Sequence, residues 1–164
     1  MKKTLLILGI FIALVACENG GKPAQTTMTQ KTERKNVVVP AFNSDSAYYF
    51  VKKQCDFGPR VPGTVAHQEC AKWIVETLKG YSDTVFVQDF KTRIYDGKGI
   101  DGKNIIASFN PNAKKRIIVA AHWDSRPYAD HDSDEKNWNN PIDGANDGAS
   151  GCGIMMEMAR VMKN

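Results

Sequence analysis

Residues 116–125 read RIIVAAHWDS: five apolar residues behind one arginine, then a histidine, a tryptophan and an aspartate. So short and unbroken an apolar run predicts a strand covered on both faces. The polar residues come where that strand stops. In open α/β sheets, ligands sit outside the carboxyl ends of the strands. The two side chains of an H-x-D, two positions apart, project to one side there. His122 and Asp124 therefore form one candidate site, and imidazole with carboxylate is a donor set that suits zinc.

Downstream, NPIDGANDGASGCG (140–153) sets Asp143 and Asp147 among Gly, Ala, Asn and Ser. Small residues let a backbone pass close to its neighbour, and carboxylates in such a place suggest an ion. Asp147 lies just before a helix predicted over SGCGIMMEMARVM, with Ile154, Met155, Met158, Ala159 and Met162 on one face. From that position it reaches the same sheet edge as His122. Each residue alone has a plainer reading. A His beside an Asp can be a structural pair, Asp before a helix a cap, and Asp143 a turn residue. The coincidence of an H-x-D at a strand end with an Asp-bearing, Gly-rich loop is what singles out a site.

Upstream, NSDSAYYFVKKQCDFGPR predicts a helix capped by Ser44, with Ala47, Phe50, Val51 and Cys55 at helical spacing and Gly58-Pro59 at its end. A loop held by Pro59 and Pro62 follows. A second helix is capped by Thr64, carries Ala66, Cys70, Trp73, Ile74 and Leu78 on one face, and ends at Gly80. DTVFVQDF and KNIIASF are β-rich runs, and the turn-rich DGKGIDG between them suits a hairpin. The predicted order is ααβββα. Trp123 and Trp138 receive no role, and DHDSDEKN reads as a solvated loop.

The N-terminus belongs to no fold. MKK is a positive start, TLLILGIFIALVA an apolar segment, and LVAC puts small residues directly before Cys17. The apolar run is shorter than the ~20 residues of a membrane-spanning helix, so residues 1–16 read as a signal peptide. LVAC resembles the bacterial lipobox, which implies lipidation of Cys17 and export to a bacterial membrane, inner or outer. Residues 17–38 are polar and read as a flexible tether, and 39–164 as the domain. Removing residues 1–16 takes Lys2 and Lys3 away and lowers the formal charge from +4 to +2. So small a charge, with no basic patch, excludes a nucleic-acid partner. Without a C-x-x-C, cysteine zinc ligation is unsupported; Cys55 and Cys70 are free thiols or a pair.

FGPRVPGT, CAKWIVETL, KNIIASF, AHWDSRPYAD and PIDGANDGASG, in this order, resemble the glutaminyl-peptide cyclotransferases, the bacterial glutaminyl cyclases. These stand with the zinc aminopeptidase-like peptidases, and the resemblance runs from about Asn43 to Lys163. It implies an α/β fold, a mixed β-sheet sandwiched by helices, stopping here after the helix that follows the third strand. It implies Asp147 as a zinc ligand, His122 as a site residue and Asp124 as its orienting partner. In a one-zinc cyclase His122 need not touch the metal; in a two-zinc aminopeptidase it is a ligand. The implied reaction cyclises an N-terminal glutamine of a peptide or protein to pyroglutamate and releases ammonia. The membrane enters only through the lipid. The family's Glu-Glu pair, with its general base, and its later His ligand have no match up to Asn164. The 164 residues are therefore expected to be an inactive N-terminal half. The alternatives are a two-zinc aminopeptidase of the same fold and a non-catalytic lipid-anchored fragment.

Overall fold

Two helices, a hairpin and a third helix follow one another, and the core lies where the three helices meet. The computed structural model describes residues 37–94 and 96–163. The signal-peptide, lipidation and tether expectations, with Cys17, lie outside them apart from Val37 and Val38. No helix of the described residues is long and apolar enough to cross a membrane.

Helix α1 spans Ser44–Asp56 and α2 spans Val65–Lys79. The cap of α1 is Asn43, one residue before the predicted Ser44; its side chain accepts from the Ser46 amide at 3.0 Å. Asn at this position fills the same orphan donor that serine would. Thr64 caps α2 as predicted, accepting from the His67 amide. Phe50, Cys70, Ala71, Ile74, Trp123 and Met156 form the core cluster.

Strands β1 (Thr84–Arg93) and β2 (Gly99–Ser108) pair antiparallel, with Val87 opposite Ile105 and Arg93 opposite Gly99. The predicted connection, residues 96–102, ran on too far: Gly99 to Gly102 already belong to β2. The turn is Ile94 to Lys98, where the Asp96 carboxylate accepts from the Lys98 amide and Gly97 takes a φ of 82°. The Phe90 ring lies across Gly102, where a Cβ would come within 2.3 Å and push the ring aside.

Helix α3, Ser150–Lys163, packs on α1. Its buried face is Gly153, Met156, Glu157 and Ala159, rotated from the predicted one, and Ile154 and Met162 are exposed. The rotation has a cause in Gly153, where the helices approach so closely that a Cβ would meet Val51 at 2.6 Å. Glu157 is fully buried, yet satisfied: it accepts from the Asn43 amide at 2.8 Å and from two Arg160 nitrogens at 2.7 Å. Arg160 holds this carboxyl below its ordinary value, against burial that pushes it up. Glu157 thereby ties α3 to the start of α1.

The third predicted strand does not pair. The sheet of the described residues has two strands, and RIIVAA stands outside it with Ile117 89% and Ile118 94% exposed. A run apolar on both faces needs a neighbour on each side and cover above and below. The described residues supply neither.

Cys55, Cys70 and Cys152 are free thiols. Burial pushes Cys70 up to about 12 and Cys152 up to about 11, with Arg60 opposing in both. Such thiols pack as small apolar groups. His67 is also buried, stacked on Trp123 with ring centroids 4.1 Å apart. Burial lowers its pKa below the ordinary 6.5, Asp124 opposes, and Lys103 adds to the fall. As pH drops through 6.5 the unfolded chain takes up a proton that the folded chain refuses, so stability falls from there towards the lowered value. The denaturation midpoint should therefore decrease between about pH 7.5 and about pH 5.5. His67→Phe, which keeps a ring on Trp123, should flatten this slope; equal slopes in the two proteins would remove His67 from the account.

Candidate metal centre

From Ala121 to Ser125 the chain alternates. His122 is exposed, Trp123 and Ser125 are buried, and Asp124 is half-buried. Trp123 anchors the inward side, with its indole N–H donating to the Lys103 carbonyl at 3.2 Å. That inward anchor turns His122 and Asp124 together to the other side, as the H-x-D spacing predicts. Trp123, given no role by the sequence, belongs to the core.

Asp147 arrives from a tight turn, Ala145–Ala149, that leads into α3. Gly144 (φ 59°) opens the turn, and its helical course breaks at Asp147 and Gly148 (φ 100°). Gly148 is where the turn presses on the histidine segment. A Cβ there would lie 2.9 Å from both the Asp124 carbonyl oxygen and His122 Cε1. Only glycine meets both the positive φ and the close approach.

The result is a contact between residues 25 apart in sequence: His122 Nε2 lies 2.9 Å from Asp147 Oδ1. On the other side of the ring, Nδ1 lies 3.2 Å from the Asp124 carbonyl oxygen and 3.5 Å from Asp124 Oδ1. Both ring nitrogens thus face acceptors only. A neutral imidazole has one N–H, so one nitrogen is left lone pair to lone pair with an oxygen. When Nδ1–H donates to Asp124, the unprotonated pair is Nε2 and Asp147 Oδ1. A cation between those two atoms, a proton or a metal ion, removes the mismatch. The two atoms are also near the ~3.3 Å that separates neighbouring ligands of a tetrahedral zinc bound at ~2.0–2.2 Å. The donor set fits zinc in kind. In number it is partial, since the described residues hold no cluster of three or more His, Cys, Asp or Glu able to bind a metal together.

Asp143, the other carboxylate of the loop, is exposed, and its carbonyl faces the Cys55 thiol at 4.0 Å. It takes no part in the His122 contacts. The acidic loop is occupied with itself: Asp132 accepts from the Asp134 amide and the Asn137 side chain, and Trp138 closes it by donating to the Asp132 carbonyl. A groove of about 410 Å³ between α2 and the hairpin, lined by Ala71, Val75, Val87 and Lys103 among others, includes none of His122, Asp124 and Asp147.

Arg60 escaped the sequence reading, which took its loop as held by proline alone. It is fully buried, and its guanidinium donates to the carbonyls of Trp123 (2.9 Å), Gly144 (3.0 Å) and Gln54 (3.3 Å). The available signal was an arginine flanked by proline, valine and glycine in a loop with no acid beside it.

The pattern of peptidase family M28 matches residues 104–164. A glutaminyl-peptide cyclotransferase of Drosophila melanogaster is 31% identical over 109 residues, covering 64% of this chain and 27% of that protein. Among solved structures, the Bacteroides thetaiotaomicron glutaminyl cyclase bound to N-acetylhistamine is 50% identical, with a TM-score of 0.75. A Zn-dependent exopeptidase from Parabacteroides distasonis is 47% identical, also with a TM-score of 0.75. Each of the two structures matches 76% of this chain, while the chain spans 43% of each. The family pattern includes the segments that carry His122, Asp124 and Asp147.

Proposed function

On the premise that this chain is related to the glutaminyl cyclases of peptidase family M28, we propose that its residues form part of a zinc centre for cyclising N-terminal glutamine. The observation that carries the reading is His122, whose two nitrogens face Asp124 on one side and Asp147 on the other. Asp147 would hold the zinc, and His122 would hold it or stand beside it. A bound zinc would supply Lewis acidity at the γ-carbonyl of the substrate glutamine.

The chain's own residues do the positioning. Asp124 accepts from Nδ1–H and so fixes the tautomer that leaves Nε2 free for a cation. Gly148 keeps the Asp147 turn against the imidazole. In the reaction, the substrate's own α-amine attacks its γ-carbonyl, forming the ring C–N bond as the C–N bond to ammonia breaks. The amine proton leaves with the ammonia by way of a carboxylate base. No described residue stands as that base: Glu157 is buried in a structural ion pair, and Glu69 and Glu76 pair with Lys72 and Lys79 on α2. The base and the remaining ligands are assigned to residues outside this stretch.

The test compares the two aspartates of the loop, in a chain extended to the relatives' length. Asp147→Ala should lose zinc after dialysis, whereas Asp143→Ala should retain most of it. The opposite ranking would sink the assignment. A second reading, hydrolysis of an N-terminal residue by two zinc ions, is favoured by the likeness to the Zn-dependent exopeptidase. Free N-terminal amino acid instead of ammonia as product would select it.

A further inference from the structure

The His122–Asp147 contact joins two loops that approach each other from distant parts of the chain, and both loops end on one buried side chain. Arg60 Nε donates to the Trp123 carbonyl and Nη2 to the Gly144 carbonyl. The Arg60 carbonyl in turn accepts from the Ser125 amide at 3.1 Å, so Arg60 grips the backbone on both sides of Asp124. The Gly144 carbonyl also accepts from the Ala149 amide at 3.1 Å, the bond that closes the turn presenting Asp147. We infer that Arg60 is a positioning residue of the metal centre, setting the separation of His122 and Asp147 without touching either. This rests on the reading of those two residues as a cation site.

Other links cross the same gap and are weaker for the purpose. Cys152 donates an S–H to the His122 carbonyl, and thiols are poor donors. The Ile142 amide bonds the Arg126 carbonyl with one neutral hydrogen bond, and Gln54 bonds the Ala149 carbonyl from α1, outside the gap. Arg60 alone among these is charged, and charge-assisted bonds are about twice as strong as neutral ones. Its donors also form a planar fork, so the angle between the two loops is fixed as well as their distance. A lysine at 60 would keep the charge and lose the fork.

The experiment measures zinc affinity of the full chain by competition with a chromophoric chelator. Asp147→Ala should abolish the binding, and Arg60→Lys should weaken it about 10- to 100-fold, as removal of an orienting partner does. Arg60→Ala should weaken it further and regain affinity when methylguanidinium, but not methylammonium, is added. A merely structural role would lower the melting temperature and leave the affinity of the folded protein unchanged. Folded Arg60→Lys with wild-type affinity overturns the inference while the metal reading stands. Binding that ignores Asp147 overturns both. Should the Arg60 variants not fold, the wild type still decides. Coupling is reciprocal, so if Arg60 strengthens zinc binding, zinc must tighten Arg60. Solvent exchange of the Arg60 Nε–H, followed by nitrogen-edited NMR, should slow as zinc is added; an unchanged rate overturns the inference.

Discussion

Gly148→Ala is expected to abolish zinc binding and to destabilise the fold by about 3 kcal/mol or more. Two costs meet at this residue. Its φ of 100° with ψ of −60° lies outside the regions that L side chains adopt, so any Cβ brings backbone strain. The same Cβ would stand 2.9 Å from the Asp124 carbonyl oxygen and 2.9 Å from His122 Cε1. Neither neighbour gives way cheaply. The carbonyl is backbone next to Ser125, whose amide is bonded to Arg60, and the ring is held between Asp124 and Asp147. Relief therefore comes by moving the turn, which carries Asp147 away from Nε2. Gly99→Ala is the control, since its φ is not positive and a Cβ there would meet nothing within 4 Å. Denaturant melts and zinc competition on the two variants check the ranking. Zinc affinity lost equally in both would mean that the geometry at Gly148 is not what holds the site.

Residues 1–164 by themselves are expected to release no ammonia from peptides with N-terminal glutamine, with or without added zinc. A catalytic zinc normally takes three protein ligands and keeps one position open. Asp147 and His122 make two. A positioned general base typically contributes about 10²- to 10⁴-fold, and no free carboxylate besides Asp124 and Asp147 stands at His122 among the described residues. The same 164 residues leave Ile117 and Ile118 almost fully exposed, and Ile154 and Met162 on α3 half-exposed. Each isoleucine buried against another surface is worth about 1.5–3 kcal/mol, and an unpaired apolar segment is a route to association. Sedimentation should show self-association, reduced by replacing Ile117 and Ile118 with lysine. A monomeric chain that turns over glutamine peptides would overturn the expectation and require ligands that the 164 residues are not credited with.

Much of the site was legible because it rests on short-range patterns. An H-x-D fixes the relative direction of two side chains through backbone alternation alone, and the structure keeps His122 and Asp124 on one side with Trp123 on the other. Gly, Ala and Asn around Asp147 announce a close approach, and Gly148 makes one. The helix starts at Asn43 and Thr64 and the hairpin between Thr84 and Ser108 come from caps, helical spacing and alternation, all local signals.

What the sequence could not decide is who faces whom. The predicted face of α3 had the right period but the wrong phase. Its rotation was set by the depth at which Gly153 lets α1 approach, which is a property of two helices and not of one. Nothing local marks Glu157 or Arg60 as buried, yet both are: Glu157 bonds Asn43, 114 residues away, as well as its helix neighbour Arg160, and Arg60 reaches carbonyls up to 84 residues away. RIIVAA called for a sheet on both sides, but the described residues place none there. The sequence by itself determined the residue types, the Thr64 cap and the H-x-D alternation, because these act within a few residues. Tertiary structure alone decided the 2.9 Å meeting of His122 and Asp147 and the Arg60 clamp behind it, because hydrogen bonds between distant loops exist only after the chain has closed.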